Sequence, residues 1–166
     1  MTNIATAKYG FTHESQRNKT VEWYTPPWVF ENLMLSFDLD PCHPTKRLGW
    51  IPVKNTYTID DDGLKMNWLG NVWMNPPYGK ETKAWIEKLS NHGNGIALLF
   101  ARTDCAWFHD FCTKATAINF VRRRIKFIDQ NGVTGNSGAG AGSMLVAFGE
   151  HNAKAIAKID GATFYL

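Results

Sequence analysis

Asn75-Pro76-Pro77-Tyr78 is the tetrapeptide with the most chemistry in it. It follows an apolar run, Asn71-Val72-Trp73-Met74, that reads as a strand cut short by the two prolines. In an open α/β sheet such a turn stands at a strand's carboxyl end, where ligands bind. The prolines stiffen the turn and remove N–H groups that would compete for a ligand. The Asn75 side-chain oxygen and a proline carbonyl are then left as two acceptors for one amino group. An amine held this way keeps its lone pair toward an electrophile and sheds positive charge as it forms, which is preorganised electrostatics and not strong-base catalysis. The Tyr78 ring offers a flat surface to a planar substrate, and Gly79 lets backbone come close. The competing reading is a proline-rich turn in which Asn75 caps and Tyr78 packs. The strand before it and the segments around it favour the chemical reading.

Those segments are built from alternating elements. Pro26-Pro27 starts a helix that carries Trp28, Phe30, Leu33 and Leu35. Phe37–Asp40 is a short buried strand stopped by Pro41, and residues 43–67 are loop-rich, with an acidic run at Asp60–Asp62. After the motif come a helix over Lys80–His92 closed by Gly93 and a doubly buried strand over Gly95–Ala101. A helix capped by Asp104 follows, then strands at Ala117–Val121 and Arg124–Ile128. Gly132–Gly142 is a flexible glycine-rich loop, Ser143–Phe148 a strand and Ala153–Ile159 a last helix. This alternation predicts an α/β domain with a mostly parallel sheet and helices on both faces. Residues 1–20 lack apolar periodicity and read as a flexible arm, and 21–166 as one small domain.

Composition sets the outer bounds. A chain of 166 residues with 44% hydrophobic and 20% charged residues can bury a core and is not globally disordered. A formal charge of +3 permits a polyanionic partner without requiring one. Three cysteines (Cys42, Cys105, Cys112) without zinc spacing read as reduced thiols of a cytoplasmic protein, and no metal site is expected. Neither a signal peptide nor an apolar run of membrane-spanning length is present in these residues. The densest basic cluster is Arg122-Arg123-Arg124 with Lys126. It is either a solvated strand edge or a phosphate contact beside the crevice, to which Lys80 and Arg102 would add.

The NPPY tetrapeptide matches the motif of amino-group methyltransferases, and further segments follow in the expected order. Trp23-Tyr24-Thr25-Pro26 resembles their YTP segment, and Phe37–Cys42 stands where their first cofactor-binding strand does. Asp62-Gly63-Leu64 before Trp68 resembles the acidic segment that holds the adenosyl group. Ala101-Arg102-Thr103-Asp104 with Trp107-Phe108, and later Arg124-Ile125-Lys126-Phe127, resemble the small phage-type DNA N6-adenine methyltransferases. The likeness spans roughly residues 20–150. One departure is that no glycine follows Asp40 until Gly49, where the wider class has a glycine-rich turn.

The resemblance implies a Rossmann-like class I methyltransferase fold and transfer of a methyl group from S-adenosyl-L-methionine to adenine N6 in DNA, on a base flipped from the duplex. It implies a catalytic role for Asn75, Pro76, Pro77 and Tyr78. Cofactor contacts fall to Tyr24, Thr25, Pro26, Asp38, Asp40, Pro41, Cys42, Asp61, Asp62, Leu64 and Asn75. One of Asp38 and Asp40 is expected at the cofactor and the other capping the next turn, with Asp40 and Asp62 preferred. Alternatives are the same chemistry on cytosine N4, an RNA adenine or a glutamine side chain, or an inactive nucleic-acid-binding domain. A phage or prophage origin within a bacterial host, a part in restriction-modification, and a monomer or weak dimer complete the expectation.

Overall fold

The computed structural model describes residues 23–47, 49–135 and 139–166. The expected arm at 1–20 and the middle of the glycine-rich loop lie outside them. A seven-stranded sheet has the order β2-β1-β3-β4-β6-β5-β7, with β1 at Phe37–Asp40, β2 at Val53–Thr56, β3 at Val72–Met74, β4 at Gly95–Phe100, β5 at Ala117–Val121, β6 at Ser143–Phe148 and β7 at Gly161–Tyr165. Among the described residues four α-helices cover it: α1 (Pro27–Leu33), α2 (Thr82–His92), α3 (Ala106–Phe111) and α4 (Glu150–Ile156).

Strands buried on both faces sort their side chains into two cores. Ile96 and Leu98 of β4, with Leu145 and Ala147 of β6, join α1 and α4 residues such as Phe30 and Ile156. Ala97 and Leu99, with Met144 and Val146, join Trp85, Ile86 and Leu89 of α2 on the other side. Helices therefore lie on both faces, as expected. In α2 the buried residues Thr82, Trp85, Ile86 and Leu89 form a stripe at helical spacing, and the helix ends at Gly93.

The sheet is mixed, and only one half meets the expectation of parallel pairing. The β2-β1-β3-β4 pairings are parallel, whereas β4-β6, β6-β5 and β5-β7 are antiparallel. Among its described residues the connection from β5 to β6 contains no helix to make the crossover a parallel neighbour needs. The chain returns antiparallel, between β4 and β5.

Other boundaries differ from expectation for local reasons. Residues 124–128 are no strand: Arg123 takes a positive φ of 68° that turns the chain out of the sheet, leaving only bridges from Ile128 to Tyr24 and Thr134. Helix α3 is capped by Cys105 and not Asp104, because Cys105 N–H already bonds the Arg102 carbonyl in a preceding turn. Helix α4 begins at Glu150, next to Gly149, and not at Ala153. Strands β2 and β7 were not expected at all. They are the two edges of the sheet, where exposed residues such as Lys54, Asn55 and Phe164 erase the apolar pattern.

Candidate active site

Strands β1, β3, β4 and β5 point the same way, so their carboxyl ends share one edge. Three turns come together there: Asp40–His43 after β1, Asn75–Tyr78 after β3, and Phe100–Arg102 at the end of β4. A fourth segment, Trp23–Pro26, is drawn across the edge by paired backbone bonds between Tyr24 and Ile128 (2.8 and 3.0 Å). The Tyr24 hydroxyl donates to the Lys46 carbonyl at 2.6 Å, and Trp50 Nε1 donates to the Thr25 carbonyl at 2.9 Å.

The Asn75 amide is held from both ends. Its Nδ2 donates to the Trp23 carbonyl at 3.2 Å, and its Oδ1 accepts the Tyr78 hydroxyl at 3.0 Å. Burial pushes the Tyr78 hydroxyl up from its ordinary range, so it remains a donor at neutral pH. The Tyr78 ring stacks on Phe100 with centroids 3.9 Å apart and planes 13° from parallel. One face of the ring is thus already covered by protein. Gly79 has a φ of +132°, which an L side chain rarely adopts, and its N–H donates to Thr82 Oγ1 at 3.1 Å. Thr82 thereby ties the turn to the first residue of α2.

The acids separate clearly. Asp40 is buried, and its carboxylate accepts the Cys42 N–H at 3.2 Å and pairs with His43 Nδ1 at 2.8 Å. It caps its own turn. Burial first, then the Asp40 charge, push the Cys42 thiol well above its usual range. Asp38 sits at the far end of β3, where it accepts the Asn71 N–H at 2.8 Å and pairs with Lys54 at 2.8 Å. The Lys54 ammonium, then the Asn71 N–H, hold its carboxyl below the ordinary carboxylate range.

Asp61 accepts from the Thr58 N–H and hydroxyl, and Asp62 pairs with Lys65 at 2.6 Å, both exposed in one turn. That turn still abuts the site through Gly63: a Cβ there would meet the Pro41 carbonyl oxygen at 1.9 Å, so only glycine fits. Leu64 packs, half-buried, into the same core as Cys42.

Of the basic residues, Arg102 is half-buried at the end of β4. Lys80, Arg122, Arg123, Arg124 and Lys126 are exposed. Arg124 Nη1 donates to the Ala139 carbonyl at 3.1 Å, so this arginine holds the glycine-rich loop. Arg122–Arg124 stand beyond the carboxyl end of β5, separated from β4 by β6.

Sequence reasoning left three participants unassigned. His43 had no partner of metal type, yet its spacing three residues after Asp40 was a signal for a paired turn. Phe100 read as the penultimate residue of a buried strand. Trp107 was noted only as part of a resemblance, and it lines a cavity of about 300 Å3 with Tyr78, Phe100, Arg102 and Cys105.

Searches of curated proteins and of solved structures returned no match. A family model does match, over residues 12–160, which takes in every segment gathered at this edge. It is described as DNA N-6-adenine-methyltransferase (Dam), in agreement with the resemblance seen in the sequence, and the chain belongs to that family.

Proposed function

We propose that this protein methylates adenine N6 in DNA with S-adenosyl-L-methionine, in a class I methyltransferase arrangement. The observation that carries the reading is the Asn75 amide, pinned at a strand's carboxyl end with its oxygen on the Tyr78 side. Family membership names the substrate amine, and the layered α/β/α build with its ligand crevice agrees with the class I reading.

The residues present fit the cofactor. Thr25 Oγ1 and His43 Nε2, on the two segments flanking the Asn75 turn, are buried without hydrogen-bond partners among the described residues. They suit a ligand as rich in polar groups as S-adenosylmethionine. Tyr24, Thr25, Pro26, Pro41, Cys42 and Leu64 would line its place. Asp40 acts by shaping the turn and orienting His43. Asp38, Asp61 and Asp62 would need to leave their present partners before contacting it. When bound, S-adenosylmethionine supplies an electrophilic methyl group for in-line transfer.

The chain's own residues do the rest. The target amine displaces the Tyr78 hydroxyl from Asn75 Oδ1 and gains the Pro76 carbonyl as second acceptor. With both N–H bonds accepted, the nitrogen lone pair is directed outward, and the charge that develops on methyl transfer meets fixed acceptors. Pro77 keeps the turn rigid, and the Tyr78 ring steadies the base, which must leave the duplex stack to arrive. Arg102 would meet a phosphate near the crevice. Lys80, Arg122, Arg123 and Lys126 would contact phosphates farther out, adding affinity without sequence information.

The test is transfer of tritiated methyl groups from S-adenosylmethionine to unmethylated DNA, followed by nucleoside analysis. N6-methyladenosine carrying the label is the expected result. Label in N4-methylcytosine, or none in DNA, would overturn the reading.

A further inference from the structure

We propose that Trp107 forms the far wall of a purine pocket whose near wall is Tyr78, so that the base presenting its amine to Asn75 is held between two rings. The proposal rests on the reading above and adds a residue that determines how the substrate is held. Its starting point is the cavity of about 300 Å3 between the Asn75 turn, the end of β4 and the start of α3. That size lies at the small end of ligand pockets, roughly 300–1,000 Å3. Three of the seven residues that line it are aromatic, Tyr78, Phe100 and Trp107, and the others are Gly79, Thr82, Arg102 and Cys105.

Tyr78 and Phe100 are already committed to one another, face to face, and the Tyr78 hydroxyl is bonded to Asn75. Trp107 is not committed. It is half-buried and packs partly against the α2 core, yet among the described residues its indole has no ring partner and no hydrogen bond. Trp50, Trp68, Trp73 and Trp85 each face another ring, and of Trp23, Trp28 and Trp107, which do not among the described residues, Trp107 is the one that lines this cavity. A tryptophan left half-open on a cavity that is also lined by a tyrosine fixed beside the reactive amide is a stacking surface without its ligand.

The chemistry of the mouth selects which purine enters. Arg102 is half-buried with no ion pair or side-chain hydrogen bond among the described residues. A free guanidinium favours a nucleotide carrying a phosphate. S-adenosylmethionine carries no phosphate and has a net positive charge. The pocket is therefore assigned to the DNA base, and the cofactor to the β1 side of the Asn75 turn.

Two measurements on the full chain test this. In the first, wild type, Trp107→Ala and Trp107→Phe are compared in methyl transfer to unmethylated DNA, with cofactor affinity and thermal unfolding alongside. Trp107→Ala should lower kcat/KM by roughly 5- to 150-fold, the range expected when one base–aromatic stack is removed. Trp107→Phe should recover most of it, and cofactor affinity should not move. In the second, each protein binds a single-stranded oligodeoxyadenylate and the same strand with abasic positions. The wild-type preference for the strand with bases should shrink by a similar factor in Trp107→Ala alone.

An alanine variant that matches wild type in both measurements overturns the proposal. So does a phenylalanine variant as damaged as alanine, or an alanine variant that loses cofactor affinity. Absence of any methyl transfer by the wild type would refute the function proposed above, while the binding measurement would still decide the role of Trp107.

Discussion

The two sides of the Asn75 turn are built on different plans. On the β1 side, Thr25 Oγ1 and His43 Nε2 apart, polar groups are bonded to one another inside the protein: Asp40 to Cys42 and His43, Tyr24 to Lys46, Trp50 to the Thr25 carbonyl, and Asn75 to the Trp23 carbonyl. On the β4 side lie a cavity, an uncommitted indole and, among the described residues, an unpaired guanidinium. Order on the first side is established as the chain folds, so the amide is in place before any substrate arrives. Order on the second side is completed only by what binds. Damage to the first side should therefore appear in stability or in rate, and damage to the second in substrate capture.

The largest effect should come where the two sides meet. Asn75→Ala removes the acceptor and should lower the methyl-transfer rate by about 100- to 1000-fold, with cofactor affinity nearly unchanged. Single-turnover transfer together with calorimetry of cofactor binding checks this, and near-normal turnover would sink the mechanism.

The contrast between paired acids sharpens the β1 side. Asp40→Asn keeps one oxygen for the Cys42 N–H, turns an amide NH2 toward His43 and removes the charge from a buried turn. It should cost about 1–3 kcal/mol of stability. Asp62→Asn breaks only an exposed pair with Lys65 and keeps a residue that tolerates the positive φ of 53°, so its unfolding midpoint should match that of wild type. Denaturant unfolding of the two variants decides whether Asp40 is the structural acid of this turn.

On the β4 side, Tyr78→Ala should weaken base capture by about 1–3 kcal/mol, whereas Tyr78→Phe should be mild. The phenylalanine ring keeps the stack on Phe100, and removing the hydroxyl merely frees Asn75 Oδ1, which the substrate amine must uncover in any case. If phenylalanine were as harmful as alanine, the hydroxyl would be doing more than holding the acceptor. The smallest effect belongs to the outer arginines. Arg122→Ala with Arg123→Asn, the latter chosen for its tolerance of a positive φ, should flatten the slope of log K for DNA against log salt. The expected change is about 0.9 for each phosphate no longer neutralised. Arg124→Ala should leave that slope unchanged, because Arg124 is spent on the Ala139 carbonyl. A salt series of binding measurements separates the two roles.

The sequence by itself determined the elements that are buried and the turn that bears the chemistry. Strands β3, β4 and β6 are apolar enough to be read directly, because both faces of each are covered and every side chain must be accommodated in a core. The NPPY turn was legible because prolines after a buried strand can end it in few ways. The edge strands β2 and β7 were not, because a strand with one neighbour carries no obligatory pattern.

Only the tertiary structure decided what each acid does. Asp38 and Asp40 are two residues apart in one short strand, yet the intervening geometry is irregular. The Asp38 and Leu39 N–H groups both meet the Asn71 carbonyl, at 2.7 and 3.3 Å, and Phe37 and Leu39 join opposite cores. That leaves Asp38 with Lys54 and Asn71 at the far end of β3, and turns Asp40 onto its own loop. The partners that fix these roles, and the Trp23 carbonyl that orients Asn75, come from chain segments distant in sequence, and long-range pairing of this kind is written in no local pattern.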